Sequence, residues 1–202
     1  MNKEEIAKPS SFLILLGVLK GYLKSPLLFL ITSKMTFKKF RKNIQLDLPN
    51  DFIETSGFMA WLYIRLKNKI GQEKAFEILR AGILTSGLAI QQANYRNVEV
   101  PRNFKNLKKY QQKTNKEGST KLNTMEIVEE SDTKYEFRVT RCLFYELFTH
   151  LEVPELTSIM CSIDNAIFNT YLPEKLIFHR NGLNKTLLDG NEYCEFVIEN
   201  KE

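Results

Sequence analysis

The hydrophobic period of this chain first changes near residue 118, and that change decides its fold class. Before it, apolar side chains recur at helical spacing; beyond it, two stretches alternate as strands do. Asn50 and Asp51 suit a helix cap, and Phe52, Ile53, Phe58, Met59, Leu62, Ile64, Leu66 and Ile70 follow at helical spacing up to Gly71. A second helix is expected from Gln72 to about Asn97 on Ala75, Phe76, Ile78, Leu79, Ile83, Leu84, Leu88 and Ile90. Gly82 and Gly87 lie inside it. Each weakens a helix by about 1 kcal/mol relative to Ala, so they admit a close neighbour or bend the rod. Trp61 is expected in the core with a hydrogen-bond partner for its indole. Pro101 ends this run, and the polar, lysine-rich stretch 102–117 reads as a short surface helix with a loop at 115–120.

Leu122, Thr124, Glu126 and Val128 fall on one face of an alternating stretch that ends at Glu130. Tyr135 to Thr140 alternates again across Ser131 and Asp132, so the two read as an antiparallel hairpin. A helix from about Arg141 to Leu151 turns Leu143, Phe144, Leu147 and Phe148 inward, and Pro154 opens another that carries Cys161 and Asp164. Residues 175–179 and 193–199 close the chain as two strands joined by a loop with Gly182 and Asp189-Gly190. The expected fold is α+β: N-terminal helices packed with a small antiparallel sheet of about four strands.

Residues 1–48 read as an apolar and basic helical extension, and 49–202 as the main domain. The stretch 11–31 is the most apolar of the chain, but Lys20, Lys24 and Pro26 interrupt it and make a spanning helix a poor reading. A helix over 10–23 is expected to break near Ser25-Pro26, and a second to run into Lys34, Lys38, Lys39, Arg41 and Lys42. Residues 11–42 thus pack on their own domain, meet a subunit or offer peripheral contact with a membrane surface. Charge is divided unevenly along the chain. Residues 1–121 carry 22 Lys+Arg against 9 Asp+Glu, whereas 122–202 carry 7 against 15. Solvated helix faces and mutual attraction account for such asymmetry, and no nucleic-acid reader motif accompanies it. Nucleic acid is therefore not an expected partner. Three cysteines and no export signature at Met1-Asn-Lys-Glu-Glu point to a reducing cytoplasm and free thiols, which makes the Asn184-Lys-Thr186 sequon accidental.

Chemistry gathers between Phe137 and Phe196, the span that holds all three cysteines and both histidines. Cys161 and Asp164, at i and i+3, share one helical face and could share a proton or a ligand. A carboxylate raises a thiol pKa, so activation would need a cation such as Arg141 or Arg180. Cys142 begins a helix, where exposed amides lower a thiol pKa. Cys194 lies on a strand with Phe196 on its face and reads most simply as core. His150 ends a helix and suits a structural role. His179 and Arg180 end a strand, where side chains can turn to a pocket mouth, and Arg180 is suited to clamp a carboxylate bidentately. Cys161, Asp164 and His179 lack diagnostic metal-site spacing, so neither metal nor cofactor is expected.

The run Phe137-Arg-Val-Thr-Arg-Cys142, then Tyr145-Glu146, Pro154-Glu-Leu156, Cys161-x-x-Asp164 and Thr186-Leu187-x-x-Gly190-x-x-x-Cys194-Glu-Phe196, resembles the L-2-amino-thiazoline-4-carboxylic acid hydrolase family. The resemblance covers the chain from Ile70 onward and is most specific in the last 60 residues; the family's usual Cys-Asp-Phe is here Cys194-Glu195-Phe196. It implies a hydrolase-like α+β domain that opens a cyclic amidine in a small carboxylated heterocycle. Cys161 or Cys142 would then serve as nucleophile, Asp164 as acid and base, and Arg180, with His179 and Thr186, as substrate-binding residues. A non-catalytic small-molecule sensor and a membrane-peripheral accessory protein are the competing readings.

Overall fold

A computed structural model describes residues 10–96, 101–117, 121, 123–180 and 186–201. Residues 1–9, residues 118–120 of the expected loop, Leu122, Gly182 and Asn184 of the sequon lie outside the described residues. The fold is α+β, as the change of period requires. Helices α1 (Ser11–Lys20), α2 (Pro26–Arg41), α3 (Asn50–Phe52), α4 (Phe58–Ile70), α5 (Gln72–Arg96) and α6 (Phe104–Glu117) precede strands β1 (Thr124–Glu130) and β2 (Lys134–Arg141). Helices α7 (Leu143–His150) and α8 (Leu156–Tyr171) and strands β3 (Leu176–His179) and β4 (Cys194–Asn200) complete the chain. Two compact units result: residues 1–93 with 147–160, and 94–146 with 161–202.

The first unit is helical. Ser10 caps α1 by accepting the Leu13 N–H, and Pro26 stands at the first position of α2, where its missing N–H leaves no helical bond unmade. Leu19, Leu30, Phe37, Tyr63, Leu66, Ile78 and Leu79 form its core. Between α3 and α4 the chain makes one π-turn, Ile53–Gly57, which the periodicity alone did not disclose. Trp61 is half-buried rather than core: Phe40 stacks on its ring at 4.5 Å, and its indole donates to Ser33 O and Thr36 Oγ1 at 3.1 Å each. Gly82 serves close approach, since an added Cβ would lie 3.1 Å from Leu15 Cδ1. Gly71 ends α4 at φ +87°, a conformation that favours glycine. The Tyr63 hydroxyl, on a fully buried ring, donates to Glu155 Oε1 at 2.7 Å.

The second unit is built on a four-stranded antiparallel sheet of order β1-β2-β4-β3. Val139 pairs with Cys194, Phe137 with Phe196 and Tyr135 with Ile198. Because strand side chains alternate, these six share the inner face. Phe168 of α8 and Phe178 of β3 close on Phe196 there, with centroids 6.3 and 6.0 Å away. The opposite face carries charge: Lys134 bridges Glu129 and Glu136, Arg138 pairs with Glu195, and His179 meets Glu199. Long side chains roof that face so closely that Cys194 through Ile198 are buried on both sides, as suits a central strand. β1 is an exposed edge, kinked by a register shift between Ile127 and Glu129.

Candidate active site

The candidate site lies on the inner face of the sheet and belongs wholly to the second unit. Helix α8 presents Cys161 and Asp164 one turn apart, as their i, i+3 spacing requires. Arg180, just past β3, donates from Nη2 to Asp164 Oδ2 at 3.1 Å and from Nε to Asn165 Oδ1 at 3.0 Å. Its guanidinium lies 4.2 Å from the centroid of the Phe196 ring, which supports the cation from below. A strand end, a helix face and an aromatic floor thus hold Arg180 in place. Only 9% of its side-chain surface is exposed, against 42% for Asp164.

The other two cysteines lie near enough that ionising Cys142 or Cys194 would raise the Cys161 pKa. Desolvation is the largest influence on each of the three thiols. The Cys161 thiol is raised to about 12 in all: desolvation, Asp164 and the other two thiols push it up, and Arg180 pulls it down. Cys142 caps α7, its carbonyl accepting the Glu146 N–H and its thiol the Tyr145 N–H. The amides lower its pKa as a helix start should, but burial outweighs them and the net shift is upward. The expected depression of that thiol is therefore reversed. Cys194 is held from the side: the Leu187 N–H donates to its sulfur at 3.2 Å. Its pKa is likewise raised by burial.

Asp164 follows the same rule. Removal of water raises its pKa, and the charge and hydrogen bond of Arg180 oppose that rise without cancelling it. Part of its surface still meets solvent, so the carboxyl can exchange a proton with water or a ligand while most of its surroundings are protein. The second cation weighed for this role, Arg141, is occupied on the surface by Glu146, at 2.9 and 3.1 Å.

Thr186 and His179 sit differently. Thr186 is the cap of a 3-10 turn, Leu187–Asp189: its N–H and hydroxyl both donate to Asp189 Oδ2, at 3.1 and 2.6 Å. That turn aims the Leu187 amide at Cys194, so Thr186 shapes the site from its edge. Gly190 closes the turn at φ +84°. His179 pairs with Val197 across the β3–β4 ladder, and its imidazole reaches Glu199 at 3.3 Å on the outer face. It does not converge with Cys161 and Asp164. Strand alternation separates it from Arg180, and with it goes the weighed Cys161–Asp164–His179 metal grouping. Among the described residues no three His, Cys, Asp or Glu side chains form a metal-holding group.

The sequence reading missed Asn165, Phe196 and the Leu187 amide. The signal for Phe196 was present, because it shares a strand face with Cys194; no local pattern marks a backbone amide that binds sulfur. The profile of the L-2-amino-thiazoline-4-carboxylic acid hydrolase family matches residues 51–198. The chain belongs to that family. The match to the L-2-amino-thiazoline-4-carboxylic acid hydrolases begins at Asp51, well before Ile70, and includes Cys142, Cys161, Asp164, Arg180 and Cys194. No curated protein and no solved structure matches the chain.

Proposed function

We propose that this protein is a hydrolase of the L-2-amino-thiazoline-4-carboxylic acid hydrolase type, which opens a cyclic amidine in a small carboxylated heterocycle by cleaving a carbon–nitrogen bond. The supporting observation is the meeting of the Cys161 thiol with the Arg180–Asp164 pair, closed at 3.1 Å, within the span the family profile matches. Cys161 is protonated in the resting site, so it needs a base at the moment of attack. Asp164 is the carboxylate on its helical face, and its raised pKa makes it a better proton acceptor than an ordinary surface aspartate.

In the proposed reaction Cys161 Sγ bonds to the ring carbon between sulfur and nitrogen as the C=N π pair moves onto nitrogen, and Asp164 takes the thiol proton. The ring carbon–nitrogen bond breaks as Asp164 returns that proton to the departing nitrogen. One water then adds at the same carbon and releases it from Sγ, which regains a proton. One water is consumed per ring opened. Arg180 orients the substrate carboxylate and holds Asp164, with Asn165 and Phe196 fixing its plane. Cys142 and Cys194 complete the thiol wall beside Cys161, Thr186 borders it through its turn, and His179 would contribute only from the outer face.

Incubation with L-2-amino-thiazoline-4-carboxylate, with loss of the ring chromophore and appearance of carbamoyl-cysteine followed together, tests the reading. Full turnover by the Cys161→Ala protein would remove its central step. A second reading, a non-catalytic small-molecule binder, draws on the same site: a thiol at about 12 and an arginine already engaged suit recognition as well as chemistry. Saturable binding without ring opening would favour it.

A further inference from the structure

The outer surface of α1 and α2 belongs to the helical unit and carries its own chemistry. Leu27, Leu28, Ile31 and Met35 are 50 to 69% exposed, although each is an aliphatic side chain on a well-formed helix. At 3.6 residues per turn they fall, with Lys38, Lys39 and Lys42, within about 120° of the circumference of α2. The opposite side of α2 carries Phe29, Leu30, Ser33 and Phe37, all buried in the unit's core. The helix thus buries one side along its whole length, while outward it is apolar in its first three turns and cationic at its end. Phe12, Leu13 and Tyr22 add 48, 64 and 54% exposed side chains from α1 and the turn after it.

Charge complementarity selects the occupant. Residues 11–46 contain Lys20, Lys24, Lys34, Lys38, Lys39, Arg41 and Lys42 and no Asp or Glu. Lys34 and Arg41 are engaged by Glu54, but Lys20, Lys24, Lys38, Lys39 and Lys42 meet no carboxylate among the described residues. The basic end of α2 borders a cavity of about 690 Å³ lined by Lys34, Lys38, Arg41 and Lys42, with Asp47 and Glu54 as its acidic members. A second copy meeting the same face would set lysine against lysine, because an isologous contact repeats each patch against itself. Nucleic acid would leave the aliphatic residues in water. An anionic bilayer surface accepts both halves: aliphatic side chains enter the acyl boundary while lysines extend to phosphate and carboxylate headgroups. No described helix is long and apolar enough to cross a membrane, so the contact is one of lying on the surface.

We propose that the outer face of α1 and α2 docks this protein on anionic membrane surfaces, with Leu28, Ile31 and Met35 inserted at the interface and Lys38, Lys39 and Lys42 among the headgroups. The proposal is independent of the hydrolase reading, since none of these residues belongs to the thiol site. Co-sedimentation of the full chain with phosphatidylcholine vesicles, with and without phosphatidylserine, tests it. Two triple variants accompany the native chain, Leu28→Gln/Ile31→Gln/Met35→Gln and Lys38→Gln/Lys39→Gln/Lys42→Gln. All substituted side chains are exposed, and circular dichroism and the urea midpoint check folding.

The native chain is expected to sediment with phosphatidylserine vesicles and to be released by salt. The lysine variant should bind on the order of 100-fold more weakly, as three surface charges near an anionic leaflet imply. The aliphatic variant should lose roughly tenfold or more. Native chain that sediments with neither vesicle overturns the proposal. So does binding by folded variants equal to the native, or retention on phosphatidylcholine alone that matches retention on phosphatidylserine. Concentration-dependent dimerisation that is abolished by the aliphatic variant would assign the face to a second copy and overturn it equally.

Discussion

The two faces of the β1-β2-β4-β3 sheet use the same kinds of side chain to opposite ends. On the outer face, carboxylates meet cations in a ladder: Lys134 lies 3.0 Å from Glu129 and 2.7 Å from Glu136, and Arg138 lies 3.1 Å from Glu195. The pKa values of Lys134 and Arg138 are raised by these carboxylates, so charge there reinforces charge. On the inner face, one carboxylate and one guanidinium share their surroundings with three thiols, and desolvation is the largest influence on Asp164 and on each thiol. On the outer face Glu136 and Glu195 are matched by cations although only 7% of each side chain is exposed, so those pairs read as structure; Asp164, beside neutral thiols and partly open to solvent, is placed to move a proton.

If that difference is functional, Asp164→Asn should lower ring opening by about 10²- to 10³-fold in steady-state assays, the range of a positioned acid-base group. Undiminished turnover would reduce the Asp164–Arg180 pair to the standing of the outer ladder. Arg180→Ala should lower folding stability by about 2 kcal/mol in urea titrations. That is below the usual loss for stranding a buried charge, because Asp164 keeps 42% of its side-chain surface exposed. A loss near zero would show that solvent alone suffices for Asp164.

The thiols supply a pH test. Cys161 ionises near 9 when free and near 12 in the folded chain, so the folded state keeps a proton that the unfolded state releases. Stability is therefore fully present below about 9 and declines as pH rises through that window toward 12. Urea midpoints at rising pH should fall less steeply in Cys161→Ala than in the native chain. Alkylation by iodoacetamide at neutral pH should also be at least about tenfold slower in the folded chain than in the denatured one. The smallest effect on turnover belongs to the outer face. Arg138→Gln should leave turnover within about twofold, although it should cost on the order of 3 kcal/mol in urea titrations, because Glu195 keeps only 7% of its side-chain surface exposed and would lose its cation.

Much of this was legible in one dimension. The i, i+3 spacing of Cys161 and Asp164 placed both on one helical face, and Pro26, Gly71 and Gly190 marked boundaries that the chain obeys. The π-turn at Ile53–Gly57 was hidden because one extra residue in a helical turn shifts the apolar stripe too little to be seen. Cys142 was misjudged in sign: its place at a helix start is a local fact, but the protein matter packed around it is not. His179 and Arg180 looked alike as neighbours at a strand end. The register of β3 against β4 sends the imidazole to Glu199, whereas Arg180 turns to Asp164 over Phe196.

The sequence by itself determined the helices, the four strands, the family and the uneven division of charge, because periodicity, capping and composition are carried by neighbours along the chain. Only the tertiary structure decided that Cys142, Cys161 and Cys194 feel one another's charge, that Arg180 rather than Arg141 serves Asp164, and that burial raises the thiol pKa values. Those outcomes depend on strand order and on desolvation, which arise when residues far apart in sequence exclude water from one another.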